Sequence, residues 1–237
     1  MTARTPVTQR RPAGAMLIAG GAIFLIAEFI AAAAWTDPPY SYTHHFISNL
    51  GVHGPSEAFG QFMYSPLAWV MNTGFFLFGL AALAGVALLR DLPGRRRFAL
   101  LATAALTAAG GVLLALFPGS GEAMENGTAA YHGAGAYATI IGGNVLVILL
   151  GKTHQRLGAG PGLGKTLVAL GVTGLICLAA FLVVVVAGPG LLIGLVERGA
   201  VYPFLIGLIC AGASIWNRGN REAMIIPAGH TRVHETC

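Results

Sequence analysis

Six continuous apolar stretches, 13–34, 66–89, 98–117, 129–150, 166–187 and 201–216, divide the chain, with polar or mixed segments between them. About 20 apolar residues at 1.5 Å each cross the hydrocarbon layer of a bilayer. Barrel strands would instead alternate apolar and polar positions over roughly ten residues. The pattern therefore predicts an all-α membrane protein, a six-transmembrane-helix bundle occupying 13–216, with polar tails at 1–12 and 217–237. Gly188-Pro189-Gly190 is expected to end the fifth span, which leaves 191–196 lying along the membrane surface.

The segment 35–65 differs from the other connections. It mixes Tyr40, Tyr42, Phe46, Leu50, Phe59 and Phe62 with polar groups, a composition that suits a folded cap at the membrane interface, where amphipathic aromatics settle. Ser65-Pro66 reads as an N-cap followed by a first-turn proline for the second span.

Composition agrees with the pattern, since 55% of residues are hydrophobic and 10% charged, and the mean hydropathy is +0.71. Charge then orients the bundle, because Lys and Arg near span ends resist translocation. Of the 14 Lys and Arg residues, all but Arg198 fall in the two tails or in the second and fourth connections. The expected topology is N-in/C-in, in the cytoplasmic membrane as a multi-pass protein. The other connections hold Asp37, Glu57, Glu122, Glu125 and Glu197, with Arg198 read as a loop cation. The net charge of +5 does not imply nucleic acid, because the cations flank membrane ends and lack interleaved aromatics. Membrane lipids are the expected partners of this basic face. The first span resembles a secretory signal, but its length fits an uncleaved anchor better.

Several apparent motifs carry no chemistry. Ala159-Gly160-Pro161-Gly162-Leu163-Gly164-Lys165-Thr166 approximates a phosphate loop, yet joins two membrane spans instead of a strand and a helix. His230, His234 and Cys237 lack a fourth ligand and a scaffold. Cys177 and Cys210 read as small packing residues inside spans, and Asn126-Gly127-Thr128 is a glycosylation acceptor only in a host that glycosylates. Glycines within the spans, such as Gly110, Gly111, Gly133 and Gly135, read as sites of close helix approach. No cofactor and no metal is implied.

The candidate chemistry lies at the outer end of the bundle. Glu28 precedes the end of the first span by a depth of ~10 Å, Asn72 enters the second to the same depth, and His132 lies ~5 Å into the fourth. Above them stand His44, His45, Ser48, Asn49 and His53. An ionisable residue inside a span needs a partner or a hydrated cavity; in a purely structural role Glu28 would bond a neighbour such as Asn72. The candidate binding set is Glu28, His45, Ser48, Asn49, Asn72 and His132.

The run Tyr42-Thr43-His44-His45-Phe46-Ile47-Ser48-Asn49-Leu50-Gly51, with Asn72-Thr73-Gly74, Phe117-Pro118 and His132-Gly133-Ala134-Gly135-Ala136, resembles the DUF998 family of prokaryotic polytopic membrane proteins. The resemblance implies six helices and no particular activity. An acidic residue often follows the serine in that family; here the position is Asn49.

Three functions follow from these residues. The leading one is a membrane protein that binds or positions a lipid headgroup or small polar molecule in an outward-facing polar pocket. A metal-dependent hydrolase acting on lipid would use His44 or His45, His53 and His132 as ligands and Glu28 as base. A proton-coupled transporter would use Glu28 and His132, with inverted repeats or broken helices that the sequence does not display.

Overall fold

A computed structural model describes residues 10–187 and 192–225. The eight helices among them are α1 Arg10–Ala34, α2 Ala68–Ala87, α3 Gly94–Leu116, α4 Gly121–Asn126, α5 Ala129–Lys152, α6 His154–Leu157, α7 Pro161–Ala187 and α8 Ile193–Ile225. Six of them, all but the short α4 and α6, are long and apolar enough to cross a membrane. The protein is a six-helix membrane bundle.

Consecutive spanning helices pack as neighbours, α1 on α2, α2 on α3, α3 on α5, α5 on α7 and α7 on α8. Contact between α8 and α1 closes the ring, and α5 also touches α8 across it. Lipid offers no hydrophobic drive for helix association, so close backbone approach supplies the packing contacts. At the α3–α5 crossing a Cβ on Gly110 would meet the Gly135 carbonyl oxygen at 2.6 Å, and one on Gly135 would meet Leu113 Cβ at 2.8 Å. Gly133, also expected to pack, has nothing within 4 Å of its Cβ position. Phe24 forms edge-on contacts with Phe75 and Phe78, both at 5.4 Å between ring centroids, and so knits α1 to α2. Asn144 of α5 donates to the Ala200 carbonyl of α8 at 2.9 Å, a bridge across the ring.

The segment between α1 and α2 folds into a cap. It contains a 3-10 turn, Ile47–Gly51, and a hairpin of β1 Ser56–Ala58 and β2 Gln61–Met63 in antiparallel register, Ser56 opposite Met63. Trp35 is buried and stacks on His45 at 5.1 Å, and Tyr40 stacks on the same imidazole at 5.3 Å. Ser56 fastens the hairpin to α4, accepting from Gly121 N at 2.8 Å and donating to Glu122 Oε2 at 3.0 Å.

The helix ends depart from the sequence pattern in three places. Helix α2 starts at Ala68 after Leu67, with no side-chain cap, and Ser65 is fully buried with its hydroxyl unpartnered among the described residues. Helix α7 starts at Pro161, whose missing N–H belongs to the first turn in any case. Helix α8 starts at Ile193, so 193–196 are its opening turn and not a surface segment, and Glu197 and Arg198 are helical. The Gly188-Pro189-Gly190 break, the metal-like C-terminal residues and most of both tails lie outside the described residues.

Candidate functional site

Two polar assemblies lie at the cap end of the bundle. The first is built on Arg198, only 4% exposed although it stood in the sequence as a loop cation. Its Nε donates to Glu28 Oε1 at 3.0 Å, and Nη2 lies 2.9 Å from the same oxygen. Nη1 faces the carbonyls of Tyr42 at 2.7 Å, Gly194 at 2.9 Å and His45 at 3.2 Å. Nη2 also donates to the Tyr40 hydroxyl, and the guanidinium lies 4.7 Å from the Tyr42 ring centroid. A guanidinium offers five N–H donors, and acceptors surround all three of its nitrogens. Tyr202 donates to Glu28 Oε1 at 3.0 Å, which completes a cluster joining α1, the cap and α8.

Glu28 thus has Arg198 as its partner and not Asn72. Asn72 instead donates to the Gly51 carbonyl at 3.0 Å and ties α2 to the cap. His45 is held between two aromatic rings, and its Nδ1 accepts from Ser41 N at 2.9 Å. Burial holds its pKa below the ordinary histidine value, with the neighbouring His44 and Arg198 acting in the same direction. Burial raises the Tyr40 hydroxyl well above its usual range, so it remains a neutral donor and acceptor beside Arg198.

The second assembly is a cavity of about 150 Å³ between the cap, α5, α7 and α8. Ser48, Asn49, His132 and Glu197 supply its polar groups. Phe46, Phe59, Tyr137, Phe181 and Val185 are among its apolar walls. Phe59, Met124 and Tyr137 are exposed as well as lining, and they form its rim. A smaller void of about 30 Å³, enough for a water by volume, shares Ser48, Ala136, Ile140 and Glu197 with it.

Local structure fixes three of these polar groups. His132 occupies the first turn of α5, where its Nδ1 lies 2.8 Å from the Phe117 carbonyl oxygen. A carbonyl only accepts, so Nδ1 carries the proton and the neutral ring keeps Nε2 as an acceptor. Gly119 makes room for that ring, since a Cβ there would lie 2.9 Å from His132 Cδ2. Glu197 Oε2 accepts the Ile47 N–H of the 3-10 turn at 2.5 Å. Asn49 donates to Gln61 Oε1 at 2.6 Å, which locks the turn to the hairpin.

The cavity therefore gathers Ser48, Asn49 and His132 from the sequence-derived set, while Glu28, His45 and Asn72 are not among its walls. The sequence reading missed Glu197 and Arg198. A signal for them existed, because the span 201–216 is shorter than the ~20 residues a crossing needs and calls for extension toward its N-terminus. The histidines proposed as metal ligands do not converge: among the described residues no three His, Cys, Asp or Glu side chains are grouped to hold a metal ion.

The family model described as protein of unknown function (DUF998) matches residues 18–214, which takes in α2, α3, α5 and α7, most of α1 and α8, the cap and both polar assemblies. The chain belongs to the DUF998 family. No curated protein and no solved structure matches it. The match agrees with the resemblance carried by the Tyr42–Gly51 run, which in this DUF998 chain folds as the cap's inner turn and supplies both Arg198 acceptors and cavity wall.

Proposed function

We propose that this DUF998 protein is a multi-pass protein of the cytoplasmic membrane, with both termini in the cytoplasm and the cap facing outward. In this reading the cavity beneath the cap binds or positions a lipid headgroup or a small polar molecule. One observation carries it: four polar side chains from the cap, α5 and α8 line a single cavity whose remaining walls are largely apolar and aromatic. Binding sites have this character, with apolar walls and a few placed polar groups. A volume near 150 Å³ holds a group about the size of benzene, which is one headgroup and not a whole lipid. The orientation rests on cation asymmetry, since Arg90, Arg95, Arg96, Lys152, Arg156 and Lys165 are all exposed at the end away from the cap.

Filling the cavity tests the reading. Ala136 lines both voids, and Ala136→Phe puts a ring where a ligand would sit. Total membrane lipid added to maltoside-purified protein should raise the thermal unfolding midpoint of the wild type and not that of Ala136→Phe. Equal stabilisation of both would remove the cavity as the binding site.

A further inference from the structure

The polar groups of the cavity are unequal in sign. Glu197 is a carboxyl group, and His132 in the tautomer fixed by Phe117 presents an acceptor. Ser48 accepts as readily as it donates. No Lys or Arg is among the lining residues. Arg198 is adjacent in sequence, but its nitrogens face Glu28, Tyr40 and the cap carbonyls. Two buried carboxyl groups, Glu28 and Glu197, thus accompany Arg198, the one buried arginine among the described residues, and of the two only Glu28 accepts a hydrogen bond from it. Asn49 uses one amide N–H on Gln61 Oε1, so an anion entering here would meet at most neutral donors, the Ser48 hydroxyl and the second Asn49 N–H, and no cation to pair with. A cation would meet a carboxyl group that can ionise against it.

The walls point the same way. Phe46, Phe59 and Phe181 form a connected group, with Phe46 edge-on to its neighbours at 6.0 and 5.9 Å between centroids, and Tyr137 stands on the rim. Aromatic rings lining one pocket with a carboxyl group are the recognition chemistry of substituted ammonium groups, whose charge is attracted to the negative ring faces. The cavity volume matches one such group in size.

We infer that the cavity recognises a protonated or quaternary amine of ethanolamine or choline size, with Glu197 as counterion, the aromatic walls around the nitrogen and His132 as acceptor for any N–H. This rests on the reading that the cavity binds a ligand, and it specifies that ligand's charge. The amine comes either from a lipid headgroup or from a free small molecule, and the chemistry recognised is the same.

The test uses the full chain. Thermal unfolding in maltoside is followed with choline chloride or ethanolamine hydrochloride, against sodium chloride and sodium glycerophosphate at matched ionic strength. In parallel, lipid discs of phosphatidylcholine or phosphatidylethanolamine are compared with discs of phosphatidylglycerol. Amine-bearing probes should raise the wild-type midpoint by several degrees over their controls. A shift with the soluble amines supports recognition of a free amine, and a shift confined to the amine lipids supports recognition of a headgroup with its chains. Glu197→Gln should abolish the shift, and Tyr137→Leu, on the exposed rim, should reduce it. Should Glu197→Gln fail to fold, Tyr137→Leu decides, and an undiminished amine shift in it overturns the inference. Glycerophosphate or phosphatidylglycerol stabilising as much as the amines also overturns it. If Ala136→Phe removes that anionic shift, cavity binding survives and only the amine assignment falls; if no probe or lipid stabilises the wild type, both readings fall.

Discussion

Arg198 holds three parts of the chain at once, accepting no bonds itself and donating to α1, to the cap and to its own helix. Its removal leaves Glu28 as a buried carboxyl group without a counterion. Breaking one side of a buried pair commonly costs about 3–5 kcal/mol, because the remaining charge has no compensation. Arg198→Met should therefore lower stability by roughly that amount in chemical unfolding of the purified protein. Glu28→Leu combined with Arg198→Met should recover part of the loss, since an apolar pair carries no desolvation penalty. A double variant no more stable than Arg198→Met would show that the arginine acts through the cap carbonyls and not through Glu28. Lysine is a poor substitute, because a point charge with three donors cannot span carboxylate, phenol and carbonyls together.

Among the elements, the cap responds most directly to pH. His45 has a folded pKa below the ordinary 6.5, so acidification protonates the unfolded chain first, and the stability that neutral His45 provides is present above about pH 6.5 and declines below it. Glu122 is also lowered, by hydrogen bonds from Ser120, from its own backbone N–H and from Ser56. Its contribution is present above the ordinary 4.5 and disappears as pH falls through the lowered folded value. With the intrinsic pH dependence of amide exchange divided out, protection across residues 40–64 should fall in two stages on acidification, while α2 and α3 stay protected. His45→Phe, which keeps the stacking surface, should remove the upper stage; a single stage in the wild type would contradict the assignment. The elements themselves were mostly legible in the sequence, because a continuous apolar run long enough to span leaves few alternatives. The start of α8 was not, since Glu197 and Arg198 interrupt the hydropathy that marks a helix in lipid. His132 could be placed at the outer end by counting residues from its span end, with Ser48 and Asn49 above it in the first connection. The Glu28–Arg198 pair could not, because 170 positions separate the partners and only closure of the ring between α1 and α8 unites them. The Ser65 cap failed for a local reason: the chain remains non-helical through Leu67 while it leaves the cap.

At the scale of the whole molecule, the proposed orientation is open to direct labelling. In a background without native cysteines, Glu125→Cys on α4 and Gly160→Cys ahead of α7 place exposed thiols at opposite ends. A membrane-impermeant maleimide applied to intact cells should react with the first and spare the second. The reverse pattern would invert the topology and turn the cavity toward the cytoplasm. Either way the molecule is electrically lopsided, and the burial of Arg198 sharpens the contrast. With that cation buried against Glu28, the cap end exposes Asp37, Glu57, Glu122 and Glu125, and no Lys or Arg among the described residues there is exposed. The resulting negative field extends about 8–10 Å into the surrounding electrolyte at physiological ionic strength. Small cations are concentrated near the cap and small anions thinned out before either touches the protein. Encounter rates should consequently fall for cations as salt is added and rise for anions, a selection by sign that operates upstream of any pocket.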